Sequence, residues 1–496
     1  MKLPSILKPV LCLFVLVGLS TAFAAPSAPT REPLRRAVDL SVGESQDVRL
    51  ADGSTVRVKL VDLKETVDSI RGAVRAARVR VEVNGTPVTL GAGNYNLPTT
   101  VAGVQVDCSI TKGYNTNSGE DSWGLEKDAR LRLWVAGRPL MEPGTFIYPL
   151  KQRWLASGSQ MANEPVHVDG GDVPTNRKIY YHNDLDFGGC EGLVDVIAAT
   201  NGLVVSSGTE SLPGYKDTPV RPRYDVVYVL DDRGWYYRYS HLFAIDGAIR
   251  PGATVTFGQK IGVLGKEGGS GGWSHLHFGI KSRQPSGKWG TEEAYAFAWE
   301  AYVKQYQPKI IAVARPHHFA ATGEVVVLDG TRSWSAAGKI SRYEWKFNDG
   351  SMANEATIAR TYAKPGTYSE ILKVTGPDGA VGYDFAVVQI VDPAQPKLLP
   401  PSIQASYAPS LNVVAGDPVT FKVRTFRTTH GEETWSFGDG SAPVTVKSDG
   451  NVKALAKDGF AVTEHRFAKP GDYVVRVERS NERGEKAVAH LSVRVD

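Results

Sequence analysis

Two histidines stand two residues apart in Trp273-Ser274-His275-Leu276-His277-Phe278-Gly279-Ile280. On a strand, residues i and i+2 point to the same face. His275 and His277 therefore share one side, and Leu276 and Phe278 take the other. Imidazoles on one face and apolar groups on the other form a wall for a metal site. Gly265, Gly268, Gly269, Gly271 and Gly272 precede this stretch and let a loop approach such a site closely. Upstream, His182-Asn183-Asp184-Leu185-Asp186 supplies an H-x-x-x-D pair. Joined to His275 or His277, it offers two imidazoles and a carboxylate. That set leaves a fourth position open, as a catalytic zinc requires and a closed structural zinc does not. Spacing alone does not say which of His275 and His277 ligates. A further imidazole lies in Tyr239-Ser240-His241-Leu242. His167, His317, His318, His430, His465 and His490 stand outside these motifs and read as ordinary surface or core residues.

Taken in order, H-x-x-x-D, Y-x-H-L, Gly258-Gln259-Lys260-Ile261-Gly262 and H-L-H-F resemble the lysostaphin/LytM-type zinc endopeptidases, over roughly residues 176–283. The resemblance implies that His182, Asp186 and His277 bind Zn2+. It also implies that His241 and His275 flank the zinc-bound water and the scissile carbonyl, where one accepts a proton and one meets the oxyanion or protonates the leaving amine. The implied activity is hydrolysis of peptide bonds in peptidoglycan stems or cross-bridges, often at glycine-rich bonds. Two alternatives stand beside it: a non-catalytic wall-binding or regulatory module, and an extracellular protease acting on glycine-rich proteins. Asp184 departs from the family, which usually has glycine there; it is either a carboxylate behind the ligands or a loop residue. Tyr180 and Tyr181 lie near the place of a tyrosine that such enzymes often use, in an open register.

These residues need a sheet to position them, and the chain is rich in strand signals. The expected fold is mainly β. Residues 1–24 read as a signal peptide: Lys2 and Lys8 precede an apolar run over 10–19, and Ala22-Phe23-Ala24 is a cleavage site. The run is too short to span a bilayer comfortably, and no other segment is apolar enough to cross one. The expected location is secreted or periplasmic. The formal net charge is +4, and losing the two leader lysines lowers it to +2, too little for a nucleic-acid partner. Cys108 and Cys190 are the only cysteines left after cleavage, so the sequence predicts a disulfide between them.

Residues 25–150 alternate apolar and polar around Asp52-Gly53 and Asn84-Gly85, the pattern of hairpins in a β-rich accessory domain. Residues 151–308 hold the peptidase motifs, with Val226, Tyr228 and Leu230 turning at 231–234 and returning to deliver His241. Glu292 to Gln305 is the only convincing helix in the mature chain. The remainder is a tandem. Trp345-Lys346-Phe347-Asn348-Asp349-Gly350 is echoed by Trp435-Ser436-Phe437-Gly438-Asp439-Gly440, and Lys364-Pro365-Gly366-Thr367-Tyr368 by Lys469-Pro470-Gly471-Asp472-Tyr473. Residues 309–392 and 400–496 thus resemble PKD-type immunoglobulin-like β-sandwiches, joined by a stiff Pro-rich linker. All motif residues precede Pro308, so the two modules are expected to be spacers that peptide cleavage does not require.

Overall fold

A computed structural model describes residues 28–93, 95–116, 122–164, 181–215 and 217–496. The expected signal peptide and Tyr180 lie outside these residues. No helix among the described residues is long and apolar enough to cross a membrane.

The chain is mainly β, as its alternation predicts. The N-terminal region forms two four-stranded antiparallel sheets that enclose one core. In the strand Thr55–Val67, Val56, Val58 and Leu60 are buried while Thr55, Arg57 and Lys59 are exposed. That is the period-two pattern of a sheet with one wet face. Asn84 and Gly85 both take positive φ, 49° and 79°, as a tight hairpin turn requires.

The region that follows is built on β1 (Leu185–Gly188), β2 (Gly202–Ser207), β3 (Val227–Leu230), β4 (Tyr236–Ser240) and β5 (His275–Arg283). Strands β2, β3, β4 and β5 lie side by side in that order, and β1 pairs with the other edge of β5. β5 is therefore central, with β4 on one side and β1 on the other. Its Leu276, Phe278 and Ile280 are fully buried in the core beneath the sheet, and its two histidines face the other way. Helix α1 (Tyr295–Tyr306) packs Tyr295, Ala296, Phe297, Ala298, Ala301 and Tyr302 into this core. It ends at Gln307, which adopts the left-handed conformation at φ 45°. Buried Arg132 of the N-terminal region donates to the Glu293 carbonyl at 2.6 Å and pairs with Asp107 at 2.6 Å. This ties the start of the helix to the N-terminal sheets.

The two C-terminal sandwiches close around Trp345 and Trp435, both fully buried. A single sheet of nine strands runs through both, spliced where Thr367 pairs in parallel with Ala487. The second module is not held away from the β5 region, as a spacer on a stiff linker would be. It packs on that region through polar contacts: Ser157 Oγ donates to the Ala405 carbonyl at 2.7 Å in a buried contact, and Lys422 Nζ to the Glu191 carbonyl at 2.8 Å in a part-buried one.

The expected disulfide does not form. Cys108 and Cys190 are free and buried. Cys108 belongs to the core of the N-terminal sheets, whereas Cys190 belongs to the core under β5. Each thiol is satisfied as a small apolar group in its own core. Burial pushes the Cys190 thiol up to about 11 and the Cys108 thiol above its ordinary value too.

Candidate metal centre and its cleft

Three neighbouring strands bring the motif histidines and Asp186 together. In the β1–β5 pairing, Asp186 stands directly opposite His277 and Gly188 opposite His275. In the β4–β5 pairing, Ser240 stands opposite His277, so His241 follows at the end of β4. His182 precedes β1, and residues 157–164 run along the outer edge of that strand. There Gln160 and Asp186 exchange backbone hydrogen bonds at 2.8 and 2.7 Å. Asp184 and His241 have positive φ, 71° and 65°. For non-glycine residues that conformation is uncommon and concentrates at functional sites.

His182, Asp186 and His277 each place a ligand atom within 4.8 Å of the others. His277 Nδ1 lies 2.8 Å from Asp186 Oδ1, and His182 Nε2 lies 3.0 Å from Asp186 Oδ2. The donor set fits a divalent metal. His182 Nε2 is buried and makes no hydrogen bond despite its closeness to the carboxylate. Its Nδ1 faces the Met161 carbonyl at 3.3 Å, which places the ring proton there and leaves Nε2 basic. His277 is oriented in the same manner: its Nε2 meets Asp184 Oδ2 at 3.2 Å, leaving Nδ1 toward Asp186. A carboxylate that holds the far nitrogen of a ligating imidazole fixes its tautomer and raises its basicity. Asp184 is thus a buried partner of His277, and Lys281 Nζ at 3.2 Å balances its charge.

His241 and His275 stand beside this trio, their ring centroids 4.6 Å apart. His241 Nδ1 faces the Glu267 carbonyl at 2.6 Å, and His275 Nδ1 faces the Trp273 carbonyl at 3.0 Å. Both rings are therefore held with Nε2 as the basic nitrogen. Trp273 lies over His275 at 4.4 Å between centroids.

Burial pushes the His275 imidazole down to about 3 and the His241 imidazole below its ordinary value. Both are neutral near pH 7. Burial works against ionised Asp186, but the imidazoles of His182, His275 and His277 outweigh it and hold the carboxyl well below its ordinary range.

The motifs did not point to Asp225, Arg223 or Arg238. Asp225 Oδ2 accepts from the His241 backbone N–H at 2.9 Å, and Arg223 pairs with Asp225 and reaches His241 Nδ1 at 3.3 Å. No local pattern around 223–225 announces this, because the contact is made by a loop folding back on the end of β4. Arg238 was detectable, since it lies two residues before Ser240 and so shares the site's face of β4. Tyr181 points away from the site: its hydroxyl accepts from the Val74 N–H at 2.8 Å, and its ring packs on Tyr114 in the N-terminal core.

Comparison with known families and structures places these regions. Residues 180–288 match the model of peptidase family M23, and residues 307–390 and 403–495 each match a PKD domain. Collagenase ColA of Clostridium perfringens (strain 13 / Type A) is 34% identical over 86 residues, which are 17% of this chain and 8% of the collagenase. The match therefore spans under a tenth of that curated relative. Among solved structures, Csd3 of Helicobacter pylori is 14% identical, with 53% of this chain and 80% of that one covered at a TM-score of 0.20. The fibronectin(III)-like modules of Clostridium thermocellum CbhA are 13% identical, with 38% and 94% covered at a TM-score of 0.16.

Proposed function

We propose that this chain, which carries a peptidase family M23 domain over residues 180–288 followed by two PKD domains, is a secreted or periplasmic zinc endopeptidase. The observation that supports this most is the His182–Asp186–His277 donor trio with two neutral imidazoles beside it. His182 Nε2, the Asp186 carboxylate and His277 Nδ1 would hold the ion. Zinc bound there supplies a Lewis acid and lowers the pKa of a coordinated water. His241 and His275 supply proton movement. Each has its Nδ1 proton committed to a backbone carbonyl, so each can accept a proton at Nε2 and return it to the leaving amine. Asp184 keeps His277 in the ligating tautomer, and Asp225 holds the backbone of His241 in its left-handed conformation.

The substrate class we assign is peptidoglycan, at stem or cross-bridge peptides. The second reading, an extracellular protease acting on glycine-rich protein, takes its support from the short likeness to a collagenase. Digestion of purified peptidoglycan and of a glycine-rich protein, with and without a chelator, followed by mass spectrometry, separates the two. The expected result is chelator-sensitive release of wall peptides. His182→Ala should lose bound zinc and cleavage together, and zinc retained in that variant would refute the ligand set. Binding of wall fragments with no cleavage under any metal condition would favour the non-catalytic module instead.

A further inference from the structure

The metal centre opens into a cleft of roughly 590 Å3 with walls from two domains. One wall is the M23 sheet. The other belongs to the second PKD domain, with Gln404, Phe426 and Asn451 among its residues. This wall is fixed in place. Gln404 grips the chain just before His275, accepting from the Ser274 N–H at 2.8 Å and donating to its carbonyl at 2.6 Å. Arg424 Nη1 donates to the Gly272 carbonyl at 3.0 Å, and Asn451 Nδ2 to the Gly271 carbonyl at 3.0 Å. Gly272 has φ 87°, and a Cβ on it would lie 2.1 Å from Asn451 Oδ1, so only glycine allows this approach.

Asp186 is the only acid among the described residues lining the cleft, and it belongs to the metal trio. Arginines line the cleft as well. Arg223 is committed to Asp225. Arg238 makes no ion pair or hydrogen bond among the described residues, and its Nε is buried without a hydrogen-bond partner, although its charge acts on buried Asp184. It stands opposite Gly279 on β5, one pair along from Ser240 and His277, and so faces the cleft. Asp184 already has Lys281 and His277 each at 3.2 Å. A guanidinium that lines the cleft with no carboxylate hydrogen-bonded to it is a receptor for one.

We propose that this composite cleft is the substrate groove and that Arg238 binds a free carboxylate of the peptide close to the scissile bond, so that the enzyme selects acidic over amidated substrates. The proposal rests on the peptidase reading. The test uses the full zinc-loaded chain and blocked glycine-rich peptides carrying one glutamate at successive positions, each paired with its glutamine counterpart. For the favoured position, kcat/KM should be higher for the glutamate peptide by about ten- to a hundred-fold, the value of a charge-assisted hydrogen bond. Arg238→Gln should bring that ratio close to one, and Arg238→Lys should keep part of it. Thermal melting checks that each variant folds. Calorimetric binding of the same pairs to the His241→Ala chain gives a readout independent of turnover. If nothing is cleaved but the acidic peptides bind more tightly in an Arg238-dependent manner, the peptidase reading fails and the carboxylate site stands. Equal affinity for acid and amide at every position, or a preference untouched in Arg238→Gln, overturns the site.

Discussion

The two PKD domains share a core and differ in their edges. In each, a buried tryptophan and phenylalanine, Trp345 with Phe347 and Trp435 with Phe437, fill the middle. In each, a tyrosine hydroxyl donates to the carbonyl of the Lys-Pro-Gly turn: Tyr368 to Lys364 at 2.8 Å and Tyr473 to Lys469 at 2.7 Å. The copies part between these landmarks. Arg360 stands fifteen residues after Trp345, whereas His465 stands thirty after Trp435. The additional chain in the second copy includes Asp449, Asn451 and Phe460. Asp449 anchors Arg424 at 2.6 Å, Asn451 reaches Gly271, and Phe460 lies under Lys266 and Arg424. The shared residues determine that a sandwich forms, and the inserted ones determine what it touches. A repeat read only by its common residues is read for fold and misread for role.

The largest losses are expected at the residues the two modules share. Trp345→Ala and Trp435→Ala should each destabilise their own module by about 3–5 kcal/mol, the cost of removing a large buried aromatic. Domain-resolved thermal melts should show similar losses. Only Trp435→Ala should also lower peptide cleavage, because only its module walls the cleft. Equal effects on cleavage would mean that the two copies play the same part.

Removing the second module alone, by ending the chain after Asp392, should reduce kcat/KM on a small soluble peptide by about a hundred-fold. That is the scale for displacing catalytic groups by roughly an ångström. Circular dichroism must show the remaining sheets intact. Full activity in the truncated chain would restore the spacer role.

A smaller change sharpens the same point. Gln404→Ala leaves the Ser274 N–H buried without a partner and takes one of two donors from its carbonyl, which keeps the Gly189 N–H at 3.2 Å, at a cost of about 1–3 kcal/mol. The expected outcome is a lower melting temperature with reduced kcat. Gln404→Glu, which keeps the acceptor and loses the donor, should fall between the two.

The effect expected to be smallest near neutral pH concerns the seam between the modules. His490 stacks on Phe385 and meets Ser369 Oγ at 2.9 Å, with Arg476, Lys346 and Glu478 nearby. Burial, with Arg476 and Lys346, pushes this imidazole down to about 3. The folded state keeps it neutral while the unfolded state takes up a proton below about pH 6.5. Its contribution is therefore complete above that pH and is lost as pH falls toward 3, at up to about 1.4 kcal/mol per pH unit. Denaturant unfolding of the native chain against His490→Gln should show the slope difference only in that window. Identical pH profiles would contradict it.

Much of the fold was written in local patterns. Asn84-Gly85, the period-two runs and the repeated Trp-x-Phe are short-range signals, and each marks the element that forms. His275 and His277 share a face because strand alternation requires it. Other features depend on which loops meet. Asp225 under His241, Gln404 against Ser274 and the separation of Cys108 from Cys190 all join residues far apart in the chain. Counting cysteines suggested a bridge because counting carries no information about which core each residue enters.

Those two cysteines have a use of their own. Each sulfur sits sealed in a different core, with its thiolate disfavoured by burial. An alkylating reagent can reach either one only when that core opens. Cys108 therefore clocks the opening of the N-terminal sheets and Cys190 that of the sheet under the candidate metal centre. The native chain carries two internal stopwatches, and the rates at which they are labelled tell whether the two bodies come apart together or one at a time.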